Sequence, residues 1–194
     1  MVHCDFAALK VDGFTVQIPD MPPCIFLNRN MPADRQRFSL AHEQGNVVMH
    51  QVPSPEMEAE ANEFASALLI PTRDIRPHIS GRRLTIQRLA VLKPVWRVSM
   101  AALLYRAKEI SAITNNQSQY LWRQMSSMGY RRSEPPELDL EVEMPTVLPE
   151  IVRLHLEELG YSVSDLAHAL HAREDDLRTL HPLPRATAQL RVVK

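Results

Sequence analysis

Hydrophobic and polar positions alternate with a period of two in the first part of the chain. Residues 14–18 read Phe-Thr-Val-Gln-Ile, and residues 24–27 form a short apolar run after a Pro-Pro pair. Such short runs, bounded by turn residues, are typical of strands. The first thirty residues are therefore predicted to form strands and turns.

From residue 32 onward the apolar positions recur at the three- and four-residue spacing of helices. The first predicted helix begins at Pro32, because proline suits the first turn of a helix, and the second ends before Pro71. The predicted helices cover, in order, residues 32–50, 54–70, 86–92, 99–110, 117–128, 148–159, 163–170 and 174–181. The predicted fold class is therefore α+β and mostly helical.

Changes in composition divide these predicted elements into four segments. Residues 1–75 hold the strands and the first two helices, and residues 76–131 form a basic helical module. Residues 132–146 are acidic and interrupted by prolines, which is typical of a linker, and residues 147–194 form a C-terminal helical region. We predict that these segments are the domains of the chain.

Glycine is scarce and scattered. The chain has five glycines in 194 residues, about 2.6% against an average near 7%, and they are more than thirty residues apart. This spacing excludes the glycine-rich phosphate loops of dinucleotide-binding enzymes, P-loop NTPases and kinases. Gly45 lies inside the first predicted helix, where glycine costs ~1 kcal/mol relative to alanine, so we expect it to serve close packing.

Cysteine content and hydropathy bear on the compartment. The two cysteines, Cys4 and Cys24, form neither a C-x-x-C pair nor a disulfide framework. The N-terminus has no basic region followed by an apolar run, and the sequence contains no stretch of 18 apolar residues. These features predict a cytoplasmic protein without a membrane partner.

The formal net charge of −1 conceals two segments of opposite charge. Nine lysines and arginines face one aspartate between residues 72 and 108, whereas twelve acidic residues face two arginines between residues 134 and 176. Residues 84–106 resemble a helix-turn-helix, so DNA contact through residues 82–108 is one interpretation. The other is a pair of packing helices whose arginines serve the acidic segment.

One segment of the first predicted helix carries a chemical pattern, and it reads Arg37-Phe38-Ser39-Leu40-Ala41-His42-Glu43-Gln44-Gly45-Asn46. A metallopeptidase helix needs two histidines four residues apart to face one zinc ion, with a glutamate after the first as general base. His42 and Glu43 fill two of these positions, and Asn46 stands at the third. On the next helix Glu58 and Asn62 share one face. By itself the His-Glu pair is equally compatible with a solvated surface.

Both motif helices together resemble the ImmA/IrrE-type zinc metallopeptidases. The family pattern R-F-[TS]-L-A-H-E-L-G-H-x-x-x-H is matched at Arg37 to Glu43, Gly45 and His50. The second pattern, E-x-x-A-N-x-F-A-x-x-L-L-x-P, is matched at Glu58, Ala61, Asn62, Phe64, Ala65, Leu68, Leu69 and Pro71. The resemblance implies a zincin-like core of a small sheet and two motif helices, followed by helical modules. Relatives usually carry a preceding helix and strand, so residues 1–75 are expected to be a core truncated at its N-terminus.

The resemblance also implies roles for individual residues. His42 would be a zinc ligand, Glu43 the general base and Glu58 the carboxylate ligand, with Glu60 as the alternative. The second imidazole ligand falls on Asn46, whose amide oxygen is a poor donor for zinc. The implied zinc site, with His42, Asn46 and Glu58 as metal positions, is therefore expected to bind weakly or to have lost the metal.

Two functions remain open at this point. The resemblance implies a zinc-dependent metallo-endopeptidase that cuts a protein substrate, typically a DNA-binding transcriptional repressor. Asn46 favours a second hypothesis, a non-catalytic pseudopeptidase regulator. This regulator would bind a repressor or antitoxin and contact DNA through its basic helices.

Overall fold

The computed structural model describes residues 1–6, 11–50, 52, 54–80 and 83–180, and the chain divides into two compact units, Met1–Glu143 and Met144–Lys194. The first unit contains β1 (Val2–Cys4), β2 (Gly13–Val16), β3 (Cys24–Asn28), α1 (Ala33–Met49), α2 (Met57–Leu69), α3 (Thr72–Ile79), α4 (Ile86–Trp96), α5 (Met100–Glu109), α6 (Asn115–Ser127) and a 3-10 turn (Pro136–Leu138). The second unit contains α7 (Val147–Glu157), α8 (Val163–Ala169) and α9 (Glu174–Leu180). The fold is α+β and mostly helical, which confirms the predicted class.

The three strands form one sheet with the order β1-β3-β2. β3 is central, parallel to β1 and antiparallel to β2. The predicted strands are confirmed as β2 and β3, and the cross-strand partners Phe14 and Phe26 stack with ring centroids 5.1 Å apart. β1 was not predicted as a separate strand, because three residues carry no periodic pattern and only pairing with β3 defines it.

Apart from shifts of up to three residues at other helix ends, helix prediction differs from the structure in two places. The helix α3 was not predicted: it is short and contains Pro77, and it is stabilised by burial of Ile75 and Ile79 in the core. The helix α4 was predicted to end at residue 92 but continues through Pro94 to Trp96. Arg97 ends it in the left-handed conformation, with φ of 53°, and donates its N–H to the carbonyl of Lys93. None of the helices in the described part of the chain has both the length and the apolar composition of a membrane span.

Each unit has its own hydrophobic core. The core of the first unit lies in the helices after α2 and comprises Ile70, Ile75, Ile79, Leu84, Ile86, Leu89, Leu92, Val98, Met100, Leu103, Leu104, Ala107, Ile113, Leu121 and Met125. The core of the second unit comprises Val152, Leu166, Ala167 and Leu177. The core of the first unit includes Ile70 at the end of α2, and Leu69 of α2 packs against it, so the second motif helix is attached directly to this core.

A buried lysine joins separate segments of the first unit. The Nζ atom of Lys93 lies 2.7 Å from Asp34 Oδ2 and 2.8 Å from Glu134 Oε2, and the three side chains are at most 10% exposed. The other oxygen of Glu134 accepts the backbone N–H of Ala101 in α5. Burial lowers the pKa of Lys93, but the hydrogen bonds and charges of the two carboxylates outweigh it, so the pKa is raised overall.

Part of the acidic segment pairs with basic side chains inside the first unit. Glu143 Oε1 lies 2.7 Å from Arg37 Nη1 and 2.9 Å from Arg97 Nε. Arg97 also donates to the backbone carbonyl of Glu141 at 3.2 Å. Together with the Lys93–Glu134 pair, these contacts bind residues 134–143 to α1 and to the α4–α5 connection. The boundaries between the four predicted domains remain predictions.

Replacing Lys93 with alanine should strongly destabilise the chain. The variant leaves Asp34 and Glu134 buried without a counter-charge, so we expect the free energy of unfolding to fall by about 3–5 kcal/mol. Lys108→Ala, an exposed lysine of the neighbouring helix α5, is the matched control and should change it by less than about 0.5 kcal/mol. Urea denaturation followed by circular dichroism measures both, and equal effects would contradict the assigned role.

The contacts of Lys93 with Asp34 and Glu134 also make the stability of the chain depend on pH. Because the pKa of Lys93 is raised by folding, its contribution to stability is fully present below the ordinary lysine pKa of 10.5 and is lost as the pH rises through the folded-state value. The difference in unfolding free energy between the wild type and Lys93→Ala should therefore remain large at pH 8 to 9. Urea titrations at increasing pH should show the difference shrinking only in strongly alkaline solution.

Candidate functional site

The candidate site lies where α1 and α2 pack on each other, and small residues let the two helices come close. Ala61 and Ala65 of α2 are fully buried and Ala41 of α1 nearly so. A Cβ atom on Gly45 would lie 3.0 Å from Cδ1 and 3.2 Å from Cβ of Phe64, closer than carbon atoms normally approach. This contact confirms the expected role of Gly45 in close packing beside the motif.

His42 faces two residues of α2. Its Nε2 lies 3.5 Å from Glu58 Oε2, and its Nδ1 lies 3.1 Å from Asn62 Oδ1. An amide oxygen only accepts hydrogen bonds, so with this orientation of Asn62 the imidazole carries its proton on Nδ1. Asn62 then fixes the ring with Nε2 turned toward Glu58, whose side chain is 79% exposed.

Glu43 is held by the sheet. The hydroxyl of Thr15, on β2, donates to Glu43 Oε2 at 2.8 Å. Gly13 of the same strand lies so close that a Cβ atom there would be 3.7 Å from Glu43 Cγ. The carboxylate next to His42 in sequence is therefore positioned from a strand 28 residues earlier. Sequence reasoning missed Thr15, because no local pattern links it to the motif.

A second set of contacts surrounds His50. Its Nδ1 lies 3.2 Å from Asn46 Oδ1, and its Nε2 lies 2.8 Å from Glu60 Oε2. The imidazole is only 6% exposed, and its contact with Glu60 connects the end of α1 to the start of α2. The structure thus brings Glu58 to His42 and places Glu60, the alternative ligand, against His50. Asn46 also faces His50.

Comparison with known proteins gives one finding. The family model described as the IrrE N-terminal-like domain, Peptidase M78, matches residues 1–108. The chain belongs to the Peptidase M78 family. No curated protein sequence matches it significantly. The matched residues include the sheet, both motif helices and the helices as far as the C-terminal part of α5, so the zincin-like core follows from the family.

Peptidases of the M78 family are typically zinc-dependent, and this chain retains part of the donor set. His42 and Glu58 offer an imidazole nitrogen and a carboxylate, both of which suit zinc. The third position is Asn46, whose amide oxygen faces His50 instead. Among the residues that the structure describes, no three His, Cys, Asp or Glu side chains are grouped to hold a metal ion. The residues present do not fit a three-ligand zinc site.

Several basic side chains of α4 and α5 form hydrogen bonds within the first unit. Arg106 is buried and donates to the carbonyl of Ile70 and the hydroxyl of Thr72, and Arg88 donates to the carbonyl of His78. The helix α5 begins with Met100 and two alanines, which offer no polar group to a base edge. Arg82 lies outside the described residues. These contacts favour the packing interpretation, and DNA contact remains a prediction.

A cavity of about 460 Å³ lies elsewhere in the first unit. Its lining includes Phe38, Ser39, Lys93, Tyr105, Tyr130 and Arg132. None of His42, Glu43, Asn46 and Glu58 lines it. The residues implied in zinc chemistry therefore lie outside the cavity, although Phe38 and Ser39 of the same motif line it.

The close contact at Gly45 gives a test of the packing that positions the site. Gly45→Ala gains ~1 kcal/mol of helix propensity, but overpacking against Phe64 costs about 1–3 kcal/mol. We expect a net loss of about 1 kcal/mol in the free energy of unfolding, measured by urea denaturation.

The matched background is Phe64→Ala, which removes Cδ1 and Cγ, two of the three closest atoms, and keeps Cβ. In that background the loss caused by Gly45→Ala should shrink or change to a small gain, because only the β-carbon at position 64 still opposes the new methyl group. An equal loss in both backgrounds would show that Phe64 is not what requires the glycine.

Proposed function

We propose that this M78-family chain is a non-catalytic regulator, which uses the peptidase fold to bind a protein partner. The observation that carries the proposal concerns Asn46. This residue stands where the family has its second histidine ligand, and its Oδ1 lies 3.2 Å from Nδ1 of His50. A zinc ion held by His42 and Glu58 alone would lack the third protein ligand that catalytic zinc sites use. Zinc-dependent hydrolysis is then not supported.

The retained motif residues have roles that do not require hydrolysis. His42 joins α1 to Asn62 of α2, and Glu43 joins α1 to Thr15 of β2. Removing either residue would leave a polar partner without its hydrogen bond, which costs about 1–3 kcal/mol when the partner is buried and less at exposed positions. Both residues therefore have a structural role beside Asn46, with the smaller cost at His42, whose partner Asn62 is exposed.

The partner that we propose is a DNA-binding repressor or an antitoxin. Support comes from the family resemblance, in which repressors are the typical substrates, together with the retained fold around α1 and α2. A regulator of this kind would act by holding the repressor rather than by cutting it. Contact with DNA through the basic helices is an additional proposal, and it rests on residues 82–108 alone.

A metallo-endopeptidase is the second candidate, and one observation favours it. His42 Nε2 and Glu58 Oε2 are only 3.5 Å apart, so two of the three implied ligands already face each other, with Glu43 next to His42 in sequence. If a third donor came from a substrate or from solvent, the chain would hydrolyse a repressor.

Zinc content separates the two candidates. We expect purified wild-type protein to hold far less than one zinc ion per chain, whereas Asn46→His supplies the missing imidazole and should bind about one. Gln44→His is the matched control, since it adds a histidine to an exposed position of the same helix, and it should behave as the wild type. Inductively coupled plasma mass spectrometry measures the metal.

A cleavage assay with a cognate repressor completes the test. The regulator should bind that repressor and leave it intact. If the wild type holds stoichiometric zinc and cuts the repressor, the endopeptidase is correct and our proposal is wrong. If neither the wild type nor Asn46→His binds zinc, Glu58 is not the carboxylate ligand.

A further inference from the structure

Four large apolar side chains of α7 in the second unit are exposed. Val147, Leu148, Ile151 and Leu154 are 67%, 47%, 46% and 38% exposed, respectively. At 100° per residue, Val147, Ile151 and Leu154 lie within about 60° of one another around the helix. Together with Leu148 they form a stripe about 10 Å long, which we call the α7 stripe.

The α7 stripe is not the face that holds the second unit together. The core of that unit uses Val152, supported by Leu156, and these residues lie on another side of the helix. Tyr161, beyond the C-terminal end of α7, is a further exposed apolar side chain, and its ring packs edge-on to His155 with centroids 5.3 Å apart. The helix is therefore apolar over more of its circumference than its own core needs.

Acidic side chains border the α7 stripe. Glu150 lies beside it, and Glu158 continues its face just after the helix; neither takes part in an ion pair among the described residues. Over residues 144–180 seven acidic residues stand against three arginines, a net charge of −4. Charge complementarity thus favours a cationic occupant, and the same charges disfavour pairing with a second copy of this chain.

We propose that the α7 stripe is a docking surface for a basic amphipathic helix of a partner protein. The partner would place apolar residues at the i, i+3, i+4 and i+7 spacing on Val147, Ile151 and Leu154, and lysines or arginines against Glu150 and Glu158. This recognition involves the second unit only. It does not depend on zinc or on the α1–α2 site.

The test uses the full chain and a fluorescent synthetic peptide of about fourteen residues, built from lysine and leucine with the leucines on one helical face. Fluorescence anisotropy should show binding that weakens with added salt, because ion pairs contribute to it. A peptide of the same composition with its leucines scattered around the helix should bind at least about tenfold more weakly. Equal binding of the scattered peptide would overturn the proposal, since it would show attraction by charge alone.

Substitutions locate the binding surface. The double variant Ile151→Ser, Leu154→Ser should weaken peptide binding by about tenfold or more. The matched control is Val91→Ser, Val95→Ser on α4, where the side chains are 58% and 67% exposed, and it should bind as the wild type does. If the control loses as much affinity as the α7 variant, the stripe is not the docking surface.

A charge-reversed variant covers the case in which the serine variant fails to fold. Glu150→Lys, Glu158→Lys keeps the apolar stripe and changes only exposed positions, so it should weaken binding of the lysine–leucine peptide and gain binding of a glutamate–leucine peptide. No exchange of preference would overturn the role of the acidic border.

Two other occupants are outcomes of the same series. Sedimentation equilibrium tests a second copy: a wild-type dimer that becomes monomeric in the Ile151→Ser, Leu154→Ser variant would overturn the proposal. Hydroxyl-radical footprinting of the free wild type tests coverage by the chain itself, and protection of Ile151 and Leu154 would overturn it as well. An unprotected stripe on a monomer supports it.

Discussion

The first unit depends on one buried cation. Lys93 lies at the C-terminal end of α4 and contacts Asp34 in the first turn of α1 and Glu134 beyond α6, while Glu134 also accepts the N–H of Ala101 in α5. A buried ammonium group is tolerated only when counter-charges and hydrogen bonds surround it. The three-way contact therefore fixes where the motif helix starts relative to the helical body. The position of the candidate site on α1 therefore depends on the contact of Lys93 with Asp34 and Glu134.

These contacts show that part of the basic segment is used for interactions within the first unit. In the basic segment, Lys93 forms a buried ion pair, Arg106 donates to the carbonyl of Ile70, and Arg97 pairs with the carboxylate of Glu143. Composition alone could not distinguish such pairing from a surface for nucleic acid, because both need the same residues. The difference lies in which side chains are buried, and that is decided by tertiary packing.

The sequence predicted the elements whose signal is local. Two strands, the motif helices and most later helices follow from periodicity, whereas β1 and α3 depend on pairing and burial by distant residues. Sequence reasoning chose Glu58 over Glu60 for the ligand position, and Glu58 is the one that the structure brings to His42. The contacts of Thr15 with Glu43 and of His50 with Glu60 were beyond its reach, since they join segments that share no pattern.

The approach of α1 and α2 at Gly45 has a consequence for how this family can change. Because Gly45 has no side chain, Phe64 packs directly against the backbone of α1, and the resulting spacing of the two helices sets how near His42 comes to Glu58. Loss of hydrolysis would remove selection on the reacting groups but would leave selection on the packing of Gly45 against Phe64 intact. A lineage that stops cutting its substrate can therefore keep the outline of the site almost unchanged, so that outline alone says little about turnover.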